Sequence, residues 1–332
     1  MRVLVTGASG MLGGAVAAAL VRRGDQVVTL QRRASGVAGA VDVRGALQDP
    51  TAVAAALAGV EGVVHLAAKV AISGPEAEYQ QVNVEGTRAL LAAAREAGVL
   101  RFVQVSSPSV AHAGSSLVGA GADPADPVRA RGPYARTKAA AELLALAADA
   151  PGFAVVAVRP HIVWGPGDPQ LVARVVNRSR QGRMVVVGDG SALIDTTYVD
   201  DAAAAMVAAL DRAPADGVHG QAFVVSSGQP RTVGELVSRM AVAGGAPPPT
   251  RRVPLPVARA LGGAVEALWA GLRAVGSSAG DDEPPLTRFL AEQLGTAHWF
   301  DQRSTREALR WRPEVDLDEG FARLAAWFAA RS

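Results

Sequence analysis

The sequence predicts an α/β fold, a doubly wound parallel sheet with helices on both faces and a smaller, mostly C-terminal region beside it. Three observations carry that expectation. A β-branched run, Met1-Arg2-Val3-Leu4-Val5, passes through a glycine-rich turn into an apolar helical stretch at residues 15–21. Short apolar strands then alternate with longer helical segments through the first half of the chain, as βαβ units require. Beyond residue 163 the alternation gives way to segments punctuated by proline and glycine.

The turn after the first strand reads Thr6-Gly7-Ala8-Ser9-Gly10-Met11-Leu12-Gly13. Strand, glycine turn and helix in that order are the context in which such a run binds a dinucleotide. Gly7 permits a tight turn, Gly10 lets the backbone approach a pyrophosphate, and Gly13 lets the helix pack on the strand. The helix N-terminus adds unpaired N–H groups and a positive dipole end. The spacing is GxxGxxG rather than GxGxxG, and in a chain with 36 glycines an ordinary turn is the competing reading. Residues 27–30 read as the second strand, 41–43 as the third, 62–66 as the fourth, 101–106 as the fifth and 154–158 as the sixth. Helices are expected over 50–57, 76–97 and 133–148, and later over 171–181 and 233–243. Ligands of such sheets sit beyond the carboxyl ends of the strands. That places Ala67-Ala68-Lys69, Ser106-Ser107 and His161 at the mouth of a site.

Tyr134-Ala135-Arg136-Thr137-Lys138 is the strongest chemical signal. Lys138 is one of two lysines among 332 residues, the other being Lys69, and every remaining basic side chain apart from histidine is arginine. A lysine in such a chain marks a need for a compact ammonium rather than a planar fork. Four residues apart on a helix, Tyr134 and Lys138 share a face, with roughly 5–6 Å between their Cβ atoms. Bringing a phenol from a pKa of about 10 to about 7 takes roughly 4 kcal/mol of preferential phenolate stabilisation, which a neighbouring ammonium would supply. YxxxK alone also fits an amphipathic helix with a surface lysine.

Composition narrows the classes. Hydrophobic residues make up 49% and charged residues 19%, so the chain is globular. The net charge is +2, and no basic stripe with interleaved aromatics argues for nucleic acid. Without cysteine there is neither a disulfide nor a thiolate metal site, and no His/Asp/Glu cluster has metal-ligand spacing. The first strand stands where a signal peptide would lie, so a cytoplasmic location is expected. Residues 253–275 are apolar but carry Arg259, Glu266 and Arg273, too polar for a membrane span. They suit an amphipathic flap over the substrate, a membrane-surface helix, a partner face or a core helix. Residues 276–285 read as a mobile linker.

TGxxGxxG, His65-Leu66-Ala67-Ala68, Asn83-Val84-Glu85-Gly86-Thr87, the Ser107 segment and YxxxK together resemble the extended short-chain dehydrogenase/reductases. The likeness spans essentially the whole chain. Arg159-Pro160-His161-Ile162-Val163-Trp164-Gly165-Pro166-Gly167-Asp168 is similar to the 3β-hydroxysteroid dehydrogenase and sterol-4α-carboxylate 3-dehydrogenase branch. Ser106 through His112, and Pro285-Leu286-Thr287-Arg288-Phe289-Leu290 through His298-Trp299-Phe300, look closer still to the 2-alkyl-3-oxoalkanoate reductases of bacterial long-chain olefin biosynthesis. The resemblance implies a Rossmann-type domain over 1–163, with 195–226 returning to it, and a substrate-binding region over 164–194 and 227–332. It also implies a homodimer, a lipid-like β-keto acid or 3β-hydroxysteroid as substrate, and association with other olefin-pathway enzymes.

In the mechanism that the resemblance implies, Tyr134 is the general acid for ketone reduction, Lys138 lowers its pKa and holds a ribose, and Ser107 hydrogen-bonds the reacting oxygen. Ser107 is preferred to Ser106 because the matching serine stands three residues before a valine, here Val110; Ser109 is the alternative. The implied dinucleotide site takes in Gly7, Ser9, Gly10, Met11, Leu12, Gly13, Gln31, Arg32, Arg33, Leu47, Ala67, Ala68, Lys69, Asn83, Tyr134, Lys138, Pro160, Ile162 and Val163. The second strand ends Leu30-Gln31-Arg32-Arg33 without the carboxylate that binds both ribose hydroxyls in NAD enzymes. Arginine suits a 2′-phosphate through bidentate bonds, so NADP(H) is expected over NAD(H), with Arg32 the first candidate and Arg33 the second. Relatives carry Gly-Asp-Leu after the third strand, whereas this chain reads Gly45-Ala46-Leu47, leaving adenine to backbone and apolar contacts unless Asp42 substitutes. Lys69 could attract a substrate carboxylate or be merely solvated, and His112 and His161 read as packing residues. A nucleotide-sugar epimerase or dehydratase and a non-enzymatic NADP(H) sensor are the rival readings. Pro108-Ser109 in place of an acidic pair, and Leu193-Ile194 before Asp195, argue against the first, and the intact Ser/Tyr/Lys set against the second.

Overall fold

The first strand, β1 (Arg2–Thr6), buries Val3 and Val5 in one helical layer and Leu4 in the other. This period-two division is what a doubly covered sheet needs. The computed structural model describes residues 1–70, 74–112, 114–274 and 287–331. After β1 come α1 (Met11–Arg22), β2 (Gln26–Gln31), β3 (Val41–Arg44), α2 (Pro50–Leu57), β4 (Gly62–His65) and α3 (Glu76–Tyr79). A π-helical turn (Gln80–Glu85) leads into α4 (Gly86–Glu96) and β5 (Arg101–Val105). A 3₁₀ turn (Pro108–Ala111), β6 (Leu117–Ala120), α5 (Gly132–Ala147) and β7 (Ala154–Pro160) follow.

Seven parallel strands form the main sheet in the order β12-β7-β5-β4-β1-β2-β3, with β12 (Ala222–Val225) at one edge. The order reverses between β1 and β4, and a crevice opens at such a reversal beyond the carboxyl ends of the strands. On one face α1 packs with α7 (Val199–Arg212) around Val16, Leu20, Met206 and Leu210. On the other, Leu57, Leu90, Phe102 and Phe153 form the layer of α2, α4 and α5.

Short elements complete the molecule: β8 (Val163–Trp164), α6 (Leu171–Arg180), β9 (Val185–Val187), β10 (Leu193–Ile194) and β11 (Thr197–Tyr198) before α7. After β12 come β13 (Arg231–Thr232), α8 (Val233–Ala243), β14 (Arg251–Val253), α9 (Leu255–Ala274), α10 (Arg288–Gly295), β15 (His298–Phe300), α11 (Arg303–Leu309) and α12 (Leu317–Ala329). A separate core here joins Trp164, Val175, Tyr198, Leu236, Met240 and Leu324, with Trp164 stacked on Phe321 at 4.5 Å. A small sheet in the order β13-β10-β15-β6 reaches back over the crevice.

Two sequence expectations change. The single helix over 76–97 is interrupted by the π-turn, whose extra residue per turn re-aims the buried side chain of Asn83. No strand was expected over 117–120, because β6 finds its partner 180 residues later in β15. Ala258 on α9 packs against Val187 and Ala291, while Val257, Leu261 and Leu268 are exposed. Among the described residues no helix is long and apolar enough to cross a membrane. The linker expected at 276–285 lies outside the described residues.

Candidate active site

Glycine is required at two points of the first turn. Gly7 has φ +75°, where a Cβ would lie 2.9 Å from the Ala67 nitrogen, and a Cβ on Gly13 would lie 2.3 Å from the Gly7 carbonyl oxygen. A Cβ on Gly10 would meet only that oxygen, at 3.4 Å, so the turn is open on this side. No side chain caps α1 and no acidic residue stands in its first turn. The Gly10 N–H is used within the turn, donating to the Gly7 carbonyl at 3.0 Å, so the uncapped start of the helix at Met11 and Leu12 is what fits a pyrophosphate.

At the end of β2, Arg32 and Arg33 are exposed and form no ion pair among the described residues. Asp42 lies beside them on β3, but its carboxylate is committed. Thr29 Oγ1 (2.6 Å), Gln31 Nε2 (3.3 Å), Ser35 Oγ (2.6 Å) and the Ser35 N–H (2.9 Å) all donate to it, holding its pKa below the usual carboxylate value. Gln31 Oε1 is buried without a partner, a free acceptor at the same edge. Leu47 is buried and packs under Gly86.

A chain of hydrogen bonds, one of them to the Asn83 backbone carbonyl, joins the two halves of the crevice. Thr87 Oγ1 gives its proton to the Asn83 carbonyl at 2.7 Å, so at its 2.9 Å contact with His65 Nε2 it must accept. His65 therefore carries its proton on Nε2, and Nδ1 accepts from Thr6 Oγ1 at 2.7 Å. Thr6 in turn accepts from the Leu66 and Ala67 N–H groups, fixing the loop of Ala67 and Ala68. Burial, with the nearby Lys138 charge, pushes His65 down to about 3, consistent with a permanently neutral ring. Asn83 accepts from the Lys69 N–H at 2.7 Å, and donates to the Lys69 carbonyl (3.2 Å) and to Thr137 Oγ1 (3.1 Å). The His65 and Asn83 motifs flagged the segments, but the partners Thr6 and Thr137 lie more than 50 residues away and were missed.

Lys69 does not offer a free ammonium. Its Nζ pairs with Glu78 at 2.5 Å and lies 5.2 Å from the Tyr79 ring centre, so the expected attraction of a substrate carboxylate loses its basis.

Tyr134 and Lys138 share the inner face of α5. Lys138 is buried, donates to the Val105 carbonyl at the end of β5, and burial pulls its pKa down to about 8 against the raising influence of Glu142. The Tyr134 phenol is pushed up by burial, opposed by its hydrogen bond with Ser107. The shift runs opposite to the acidification expected from Lys138, because desolvation is the largest influence and the Ser107 hydrogen bond opposes it only in part. Ser107 Oγ accepts from the Ser109 hydroxyl at 3.0 Å and the Ser109 N–H at 3.3 Å, which leaves its own proton free for the phenol or a ligand. Val110 packs on Ala139 and seats the 3₁₀ turn on α5. Ser106 Oγ is buried without a partner and lies outside the cavity wall.

The cavity beside these groups measures about 180 Å³, and Ser107, Tyr134, His112, His161, Ile162 and His298 line it. His112 and His161, expected as packing residues, thus stand in its wall, together with His298 from β15, a residue of the late segment that carries the resemblance but was assigned no role. Pro160 and Val163 flank the same strand end, and Ile162 between them has φ +42°. A β-branched residue there is strained, a feature that clusters at functional sites. Among the described residues no group of three or more His, Asp or Glu could hold a metal.

The sequence pattern of the NAD dependent epimerase/dehydratase family matches residues 3–226. The chain is 44% identical to a 2-alkyl-3-oxoalkanoate reductase of Stenotrophomonas maltophilia, over 99% of this chain and 100% of that one. It is 29% identical to a 3-beta-hydroxysteroid dehydrogenase of Mycolicibacterium neoaurum, over 98% and 91%. Among solved structures, MoeE5 in complex with UDP-glucose and NAD superposes with a TM-score of 0.75 at 27% identity, covering 100% of this chain and 99% of that one.

Proposed function

Because the chain belongs to the NAD dependent epimerase/dehydratase family, we propose that it reduces a 2-alkyl-3-oxoalkanoic acid to the 2-alkyl-3-hydroxyalkanoic acid with NADPH. The coarser statement is plain: it is an extended short-chain dehydrogenase/reductase, a nicotinamide-dependent oxidoreductase acting on CH–OH groups. The observation that carries the finer one is the cavity where Ser107 and Tyr134 meet, walled by histidines and apolar residues. The 44% identity over nearly the whole chain supports the substrate class.

Residues 1–163 with 195–226 hold the dinucleotide, and 164–194 with 227–332 hold the substrate. The glycine turn receives the pyrophosphate, and Arg32 and Arg33 receive a 2′-phosphate. A dinucleotide held by these residues would supply the hydride for the keto carbon. Tyr134 donates its proton to the carbonyl oxygen, and in the reverse direction its phenolate accepts one. Ser107, with both acceptor positions engaged by Ser109, points its proton at the developing oxyanion. Lys138 holds positive charge beneath the phenol and a ribose.

A 3β-hydroxysteroid dehydrogenase is the second reading, supported by relatives of that name. Following reduced nicotinamide by absorbance separates the two, with NADP⁺ or NAD⁺ and either a 2-alkyl-3-hydroxyalkanoic acid or a 3β-hydroxysteroid. The acid should turn over with NADP⁺ preferred; turnover of the steroid alone would remove the keto-acid reading. Tyr134→Phe should cost about 10²–10⁴-fold in kcat while dinucleotide binding persists. Wild-type turnover in that variant would show that the proton comes from elsewhere.

A further inference from the structure

We propose that His161 is the residue that receives the substrate's carboxyl group, taking up one proton from solvent as it binds, with His298 and His112 as the wall behind it. The inference rests on the keto-acid reading. In such a substrate the carboxyl carbon is one atom removed from the reacting carbonyl carbon. Its receptor must therefore line the same small cavity as Tyr134 and Ser107.

Among the described residues no lysine or arginine lines that cavity. Lys69 is paired with Glu78, Lys138 sits on the Val105 carbonyl, and Arg131 is bound by both oxygens of Glu292. Of the groups in the wall that can take up a proton and become cationic, all are imidazoles; the Gln293 amide and the Ser107 and Ser109 hydroxyls are neutral. His161 Nδ1 lies 2.5 Å from the Asp195 carbonyl oxygen, which can only accept, so the ring proton is on Nδ1 and Nε2 is a bare lone pair. His112 and His298 each keep a ring nitrogen sealed in the interior, at Nδ1. His161 Nε2, which has no protein partner among the described residues, is not sealed in, and its ring borders the cavity.

The ring is held from several sides. The His161 N–H donates to Val225, its carbonyl accepts from Thr197 Oγ1 at 2.8 Å, and Phe300 packs edge-on at 4.9 Å. The strained backbone of Ile162 follows at once, a cost borne where aiming the preceding side chain matters.

The groups facing His161 explain the proton. His298 lies 6.1 Å away and His112 beyond it, with Tyr134 lining the same cavity. The Asp195 carboxylate is engaged by Ser226, Ser227, Gly228 and Gln229, and Glu292, near His112, is held by Arg131 and Arg259. Burial and neighbouring imidazoles push His161 down to about 4 and His298 to about 3, so the resting wall is neutral. A carboxylate entering it meets no cation, and the ion pair forms only if His161 Nε2 is protonated as the anion arrives.

The test compares a 2-alkyl-3-hydroxyalkanoic acid with its methyl ester as substrates of the wild-type enzyme and of His161→Gln, from about pH 6 to about pH 9. In the wild type the KM for the acid should rise about tenfold per pH unit, and that for the ester should stay flat. At about pH 6, His161→Gln should raise the KM for the acid roughly 10- to 100-fold; it should flatten the pH dependence of that KM and change the KM for the ester far less. The wild-type arm needs no variant to fold. Acid and ester with the same flat KM, or a variant that impairs both alike, overturns the assignment of His161 and leaves the keto-acid reading standing. Turnover of the steroid alone overturns both.

Discussion

Removing the charge of Glu142 should both destabilise the fold and move the catalytic pH profile. Glu142 and Arg159 are almost fully buried, with Arg159 Nε and Nη2 donating to the two carboxylate oxygens at 2.9 and 2.5 Å and Nη1 to the Asp123 carbonyl at 2.7 Å. Glu142→Gln leaves the guanidinium buried without a counter-charge, which costs about 3–5 kcal/mol. Glu142 also stands one turn beyond Lys138 and raises a pKa that burial brings to about 8. Without it the lysine loses its proton at a lower pH, so the high-pH fall in kcat should begin earlier. The stability sign runs the other way for Lys138 itself. Its folded pKa is below the unfolded 10.5, so the unfolded chain binds more protons between about 8 and 10.5, and the penalty for burying it relaxes as pH rises through that window. Urea unfolding and a pH–kcat profile read the two effects separately. A double replacement, Glu142→Leu with Arg159→Met, should recover most of the stability and none of the pH profile. A loss below about 1 kcal/mol in Glu142→Gln, or an unmoved limb, would refute the reasoning.

Two further outcomes are expected. Gly13→Ala forces a Cβ against the Gly7 carbonyl and should cost about 1–3 kcal/mol together with dinucleotide affinity, read as a lower melting temperature and a smaller shift on adding dinucleotide. Arg32→Ser should raise the KM for NADPH roughly 10- to 100-fold and leave that for NADH almost unchanged; equal effects on both would show that Arg32 does not read the 2′-phosphate.

What the sequence revealed was mostly local. The strand, turn and helix around Gly7 and Gly13 are set by contacts within a dozen residues, and Tyr134 and Lys138 share a face because helix geometry dictates it. What it hid depends on distant partners. His298 reaches the cavity from β15, 186 residues beyond His112. The ionisation of Tyr134 depends on desolvation, which residue spacing does not encode. Lys69 looked free because its partner, Glu78, stands nine residues on and not at the spacing of one helical turn. The π-turn at Asn83 leaves an apolar pattern that reads as an ordinary helix.

The unbroken relay from Thr6 through His65, Thr87 and Asn83 to Thr137 has a mechanical consequence. It rivets the end of β1 to the inner face of α5, so the two cannot breathe apart without severing buried polar links. Any movement that widens the crevice therefore falls to the outer elements, where α9 leaves Val257, Leu261 and Leu268 uncovered.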